Sequence, residues 1–337
     1  MSRRKRLAQG AAVALGTGIA AYGAARFAAR RARRRDDPHA GRDFEPPFDV
    51  EREIVTADGA RLHLIERGEG IPIVLAHGVT NDHRSWFHQV EDLPAQGFRV
   101  VAFDQRGHGQ STVGESGFGI VPLADDLREV LEQLDLRDAV IVGHSMGGMG
   151  AQAFACHHPD VARERVAGLV LVGTTSHALR MWRSVDRVPD RFSIVTDEWF
   201  SRLMVHDDLG YLATRLGLGR SPHTSHVELV RRMVVECPSE TRRLATRALL
   251  DYDVHDLLCD VGLPALVLCG TLDLLAPAAA SRRIVAALPR AELRLIPGAG
   301  HMPHLEFADE VTKAIADFAG DVTAATEGVR PSSTNAG

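Results

Sequence analysis

A serine bracketed by glycines, in the run Gly143, His144, Ser145, Met146, Gly147, Gly148, directly follows the apolar segment 139–142. A hydroxyl is a weak nucleophile near neutral pH, so it does chemistry only beside a base that takes its proton and a carboxylate that holds the base. Both appear downstream: Asp273 in "VLCGTLDLLAP", just past one apolar run, and His301 in "LIPGAGHMPHLE", just past the last. This set predicts acyl transfer, with Ser145 as nucleophile, His301 as general base and Asp273 orienting the imidazole. Between a strand and a helix the serine must occupy a sharp, strained turn, and Gly143 and Gly147 remove side chains that would collide there. Gly148 lets the helix pack closely on the strand, and the helix N-terminus favours developing negative charge. His304 and Asp260 are the rival base and acid. The Gly-rich loop ahead of His301 favours His301, and Asp260 precedes its strand, whereas reacting groups in such sheets belong at the carboxyl ends.

An acyl-transfer site also needs two N–H donors aimed at the carbonyl oxygen as it becomes charged. Met146, next to the nucleophile, offers one backbone donor, and Val79 in "AHGVTNDHRSW" offers the other, with His77 and Gly78 shaping the turn. A second loop, "FDQRGHGQS", places Arg106, Gly107, His108 and Gly109 in a tight turn expected to buttress the site.

The elements that must position these groups are legible from periodicity. Short Val-, Ile- and Leu-rich runs, "RLHLIE", "IPIVLAHG", "FRVVAFD", "AVIVGHS", "GLVLVGTT", "ALVLCG" and "LRLIPGAG", alternate with helical stretches expected near 84–95, 122–135, 146–157, 279–288 and 307–319. Continuous apolar strands of this kind predict an α/β fold, a mostly parallel sheet with helices on both faces. Segments 50–56 and 60–66 predict an antiparallel hairpin at the sheet edge and bring the strands to eight. Residues 176–255 lack a strong strand and predict a helical cap inserted after the sixth strand, between core segments 50–175 and 256–319. In it, Trp182, Trp199, Phe200, Met204 and Met233 are candidates for an apolar substrate pocket. Residues 36–49 read as a linker, and 320–337 as a disordered tail.

Together "HGVTNDHRSW", "DQRGHGQS", "GHSMGG", "GTLDLLAP" and "GAGHMPHLE" make residues 50–319 resemble the α/β-hydrolase superfamily, whose triad runs in the chain order Ser, Asp, His. The wording is similar to the branch containing cofactor-free haloperoxidases and perhydrolases, 3-oxoadipate enol-lactonases and small carboxylesterases. Epoxide hydrolases and haloalkane dehalogenases share that fold but use an aspartate nucleophile, which Ser145 speaks against. The resemblance implies a serine hydrolase acting on a small-molecule or lipid ester, possible thioesters included, without metal or redox cofactor. Perhydrolysis, carbon–carbon bond hydrolysis and, in another class, a ligand-binding receptor on the same fold are the alternatives.

The net charge of −5 hides an asymmetry. Residues 1–35 hold ten Lys and Arg and no acid, which leaves the body at −15 and argues against nucleic-acid binding. Four cysteines without a C-x-x-C pairing suggest neither a disulfide scaffold nor a zinc site. The uncharged stretch from Leu7 to Ala25, flanked by basic clusters, is long enough to span a bilayer, and the larger cluster beyond it predicts a membrane-associated protein with its catalytic domain in the cytoplasm. A twin-arginine-like export signal in "SRRKRLA" and a soluble protein with a basic tail are the other readings. No feature of the sequence fixes the oligomeric state.

Overall fold

Alternation of side chains along each strand divides the protein's core into two layers. The computed structural model describes residues 22–178 and 190–329. Its eight strands are β1 (Val50–Val55), β2 (Arg61–Arg67), β3 (Ile71–Ala76), β4 (Phe98–Phe103), β5 (Ala139–His144), β6 (Val166–Val172), β7 (Ala265–Gly270) and β8 (Ala291–Ile296). They form one sheet in the order β1-β2-β4-β3-β5-β6-β7-β8. The β1–β2 hairpin runs antiparallel with Val50 opposite Glu66, β2 is antiparallel to β4, and every later pairing is parallel.

Burial follows position in the sheet. Every residue of β5, β6 and β7 is buried, whereas the edge strands β1 and β8 are largely exposed or alternate. Within the central strands Ile141, Leu169, Leu171 and Val267 point into one apolar layer; Val140, Val142, Val170, Val172, Leu266 and Leu268 point into the other. This is the two-residue period of a pleated strand with both faces covered.

The helices are α1 (residues 22–33), α2 (Phe87–Asp92), α3 (Ile120–Gln133), α4 (Met146–His157), α5 (Pro159–Arg165), α6 (Asp190–Val205), α7 (Asp207–Leu216), α8 (Thr224–Glu236), α9 (Ser239–Asp251), α10 (Ala278–Ala287), α11 (Pro303–Glu306) and α12 (Ala308–Val329). Helix α3 buries Ile120, Leu123, Ala124, Leu127, Val130 and Leu131, a stripe at helical spacing that seals the first layer. Helix α12 buries Val311, Ile315, Ala319 and Val322 and seals the second. The helix runs to Val329, so the stretch 320–329, expected as part of a disordered tail, is helical, and Val322 and Thr323 in it are buried. Helices α6 to α9 lie between β6 and β7 in chain order, where the cap was expected.

The N-terminal expectation needs correction. Residues 1–21, including most of the presumed span, lie outside the described residues, and no described helix is long and apolar enough to cross a membrane. Two arginines of the downstream basic cluster, read from sequence as the flank of a span, pair with acids of α7 and α8. Arg26 and Arg33 pair with Asp208 at 3.2 and 2.8 Å, and Arg33 also reaches Glu228 at 3.0 Å and stacks 4.3 Å from the Tyr211 ring. The acids that neutralise these arginines lie at least 175 residues away in sequence, so local composition could not reveal them. Segment 36–49 is irregular but packed: Phe44 is buried against Phe87, Asp37 accepts from the Ser225 amide at 2.7 Å, and Arg42 pairs with Glu91. Ala29, Phe44, Phe87, Tyr211, Val227 and Met302 share a third apolar cluster joining this arm, the core and the cap.

Candidate functional site

The carboxyl ends of β3, β5, β6, β7 and β8 converge. Ser145 stands between β5 and α4 at φ 50°, ψ −113°, a positive-φ conformation that L-residues rarely adopt and that persists only when the surroundings enforce it. They do. A Cβ on Gly143 would meet the Gly147 carbonyl carbon at 2.6 Å, and one on Gly147 would meet the His77 carbonyl oxygen at 2.7 Å, so neither position has room for a side chain. Gly148 packs its backbone against Thr174 in the same way. Thr174 Oγ1 donates to the Ser145 carbonyl at 2.7 Å and Ser145 N donates to the Val172 carbonyl at 2.9 Å, tying the turn to the end of β6.

Asp273 follows β7 and is buried. Its Oδ1 accepts from the amides of Leu275 and Ala276, both at 2.8 Å, which leaves Oδ2 for His301 Nδ1 at 2.9 Å. Two fixed amides on one oxygen and the ring on the other set the imidazole's orientation and direct His301 Nε2 away from the acid. Gly173, at the end of β6, passes beside this pair: a Cβ there would lie 3.3 Å from Asp273 Oδ2 and 3.5 Å from His301 Nδ1. His144 Nε2 donates to the His301 carbonyl at 2.9 Å, joining the serine's turn to the histidine's loop. Among the described residues no hydrogen bond joins Ser145 Oγ to the His301 ring. Such bonds are often long before substrate binds.

The loop after β3 lies against the serine, since a Cβ on Gly78 would sit 3.2 Å from Ser145 Cβ. The Val79 and Met146 amides donate to no described residue. His77 is locked by its neighbours: Nδ1 donates to the Gly78 carbonyl at 2.7 Å and Nε2 accepts from the Gln105 amide at 2.9 Å. His108 likewise donates from Nδ1 to the Arg106 carbonyl at 3.1 Å and accepts from the Thr80 amide at 3.2 Å, holding the residue after Val79 at φ 62°. Burial lowers the pKa of His77, and lowers that of His108 to about 3, so both stay neutral in these roles. Arg106 forms a fork on Asp126, with Nε and Nη2 at 2.7 and 2.6 Å, and reaches Asp58 at 3.0 Å, while Gly107 accepts from Thr241 of α9. Gly109 approaches the Asp104 carboxylate too closely for any Cβ. The loop "FDQRGHGQS" is thus a buried brace.

The rivals occupy other settings. His304 is buried between the Trp86 and His144 rings, at 4.4 and 4.5 Å, and neither ring nitrogen has a hydrogen-bond partner among the described residues. Asp260 ends a 3-10 turn before β7, at the opposite end of the strand from Asp273.

Three contributors escaped sequence reading. Thr174 braces the turn as above. Asp104 Oδ1 accepts from the His83 amide and ring at 2.8 and 2.9 Å, and Oδ2 from Gln110 N at 2.9 Å and His63 Nδ1 at 3.1 Å, fastening the loops after β3 and β4 together. Glu306 accepts from Gly300 N at 3.0 Å, from Met302 N at 3.2 Å and from Gly219 N, clamping the His301 loop to the cap. The clamp is doubled by His301 N donating to the Gly217 carbonyl at 2.9 Å. A lone acid five residues beyond His301 was the available signal for Glu306.

The proposed pocket lining is dispersed. Trp182 lies outside the described residues. Trp199 and Phe200 sit on α6 with 66% and 42% of their surfaces exposed, because that face of the helix turns to solvent; Met204 is buried. Met233 is buried and lines a cavity of about 280 Å³ with Thr80, His83, Asp104 and Gln110, but neither Ser145 nor His301 borders it.

Comparison with known proteins agrees with this architecture. A family model described as alpha/beta hydrolase fold matches residues 71–308. The AB hydrolase superfamily protein YisY of Bacillus subtilis is 26% identical over 268 residues, 79% of this chain and 97% of its own. A non-heme haloperoxidase of Rhodococcus erythropolis is 28% identical over 273 residues, 79% of this chain and 98% of its own. Among solved structures, a thermophilic esterase from Thermogutta terrifontis superposes with a TM-score of 0.66 at 29% identity, covering 81% of this chain and 99% of that one. The chain therefore belongs to the alpha/beta hydrolase family and is a hydrolase of that fold.

Proposed function

We propose that the protein cleaves a small carboxylic ester through an acyl-enzyme on Ser145. The observation that carries this reading is the Asp273–His301 pair at 2.9 Å beside a serine held at φ 50°. With Nδ1–H committed to Asp273, His301 is the tautomer whose Nε2 lone pair can accept the Ser145 proton. Attack of Oγ on the ester carbonyl gives a tetrahedral oxyanion, which the Val79 and Met146 amides would receive; loss of one such donor typically costs about 10²- to 10³-fold in rate. His301 returns its proton to the leaving alkoxide. It then takes a proton from water, whose oxygen attacks the acyl-enzyme to release the acid and regenerate Ser145. Narrow access favours small acyl groups: Ser145 is 9% exposed and the His301 side chain 12%.

The test is turnover of p-nitrophenyl esters of graded chain length by the wild type and Ser145→Ala, with fluorophosphonate labelling in parallel. Short-chain hydrolysis that vanishes with the serine, together with stoichiometric labelling of the wild type, is expected. Turnover retained in Ser145→Ala overturns the assignment.

The similarity to the haloperoxidase supports a second outcome from the same intermediate. Hydrogen peroxide replacing water would attack the acyl-enzyme to give a peracid and free Ser145, without a redox group in the protein. Peroxide-dependent halide oxidation exceeding hydrolysis would favour it.

A further inference from the structure

Away from the serine, the arm, the core and the cap meet at a group of imidazoles. His39 belongs to the arm, His88 to α2 and His226 to α8, and a nitrogen of each lies within 4.8 Å of the others. His88 Nε2 faces His226 Nε2 at 3.0 Å. His226 is buried, and its Nδ1 has no hydrogen-bond partner among the described residues. Among the described residues no carboxylate or carbonyl hydrogen-bonds the ring nitrogens of His88 or His226, and their Nε2 atoms face each other.

We propose that His39, His88 and His226 bind a divalent transition-metal ion of the zinc class, which clasps arm, core and cap together. Imidazole nitrogens suit this class of ion, and three of them leave a fourth position for water or a neighbouring side chain. Tetrahedral ligands at zinc–nitrogen bond lengths stand about 3.4 Å apart, so the His88–His226 pair needs to open by only a few tenths of an ångström. His39 stacks on His226, ring centres 4.8 Å apart at 26°, and must turn to aim a nitrogen at the ion. Its place on the partly exposed arm allows that. His223, with its ring 5.5 Å from that of His226 and its Nδ1 3.9 Å from Asp37, stands where a fourth ligand or an outer partner would. Phe44, whose ring lies 5.5 Å from that of His226, and Ser225 also line a surface groove of about 420 Å³ beside the cluster. These ligands lie at positions 39, 88 and 226 with no local motif.

The experiment uses the untagged full chain, stripped with EDTA and titrated with Zn²⁺, and with Co²⁺ for its visible absorption. One ion per chain, tetrahedral cobalt bands, and a Tm raised by about 5 °C at a hundredfold excess over Kd are expected. His39→Ala and His226→Gln should each weaken binding at least tenfold and remove the rise. Since His226 is buried, circular dichroism of the apo variants checks folding, and if His226→Gln does not fold, His39→Ala on the arm decides alone. Absence of saturable binding below about 1 mM, or unchanged affinity in His39→Ala, overturns the proposal.

Discussion

The carboxyl edge of the sheet and the junction of arm, core and cap are both rich in histidine, yet they treat it in opposite ways. At the sheet edge, His304 apart, each imidazole has a fixed oxygen or amide partner: His301 with Asp273, His144 with the His301 carbonyl, His77 and His108 with backbone groups, and His63 and His83 with Asp104. At the junction His88 and His226 are hydrogen-bonded only to each other among the described residues. Where the partner is a carboxylate, the difference shows in proton affinity. Burial pushes His83 down, but its bonds to Asp104 outweigh it and leave the pKa raised; burial of His226, joined by the neighbouring His88, His39 and His223 and opposed by Asp37, brings it to about 3. A carboxylate within hydrogen-bond reach reverses the effect of burial on a histidine, whereas backbone partners, as at His108, do not.

Four measurements can break or sharpen this contrast. The largest effect belongs to Ser145→Ala, expected to lower kcat for a short-chain ester by at least about 10⁴-fold while leaving Tm within a few degrees. Next, Asp273→Asn should lower kcat by about 10³- to 10⁴-fold, because the amide favours the wrong imidazole tautomer; a loss under tenfold would remove Asp273 from the proposed chemistry. Third, His108 has a folded pKa near 3 against about 6.5 unfolded, so the unfolded chain binds its proton first as the pH falls. Stability from this residue is complete above pH 6.5 and is lost progressively below it, about 2 kcal/mol between pH 7 and 5. Urea unfolding of His108→Gln should show a pH slope shallower by that amount. The smallest effect is at the arm: Arg33→Ala should cost about 1 kcal/mol of stability and leave kcat unchanged, which unfolding and turnover measured together would check. If Arg33→Ala instead altered kcat strongly, the two regions would not be separable.

The same contrast explains what was legible. Ser145, Asp273 and His301 could be singled out from sequence as candidates because each is announced locally, by glycines that a strained turn requires and by a position just past an apolar strand. The hairpin at one sheet edge was read from the same runs, whereas β8, counted among the continuous apolar strands, proves to be the half-exposed opposite edge. The brace by Asp104 and the clamp by Glu306 were not legible, since their partners come from other loops. The arm was misread for a related reason. Uncharged residues followed by arginines suit a membrane flank equally well until Asp208 and Glu228 arrive through folding. Trp199 and Phe200 are pocket candidates by residue type alone, and type does not say which face of a helix turns inward: both are exposed on α6.

Glu306 has one more consequence. Its carboxylate holds amides from the loop that carries His301 and an amide from the start of the segment linking α7 to α8, and the His301 amide itself bonds to Gly217 in that segment. A cap that swings away from the sheet must tear these bonds, and with them the frame that aims the imidazole. Under the proposed chemistry, a swing that admitted substrate would also loosen the loop that carries the base, and reaction would wait on these bonds re-forming.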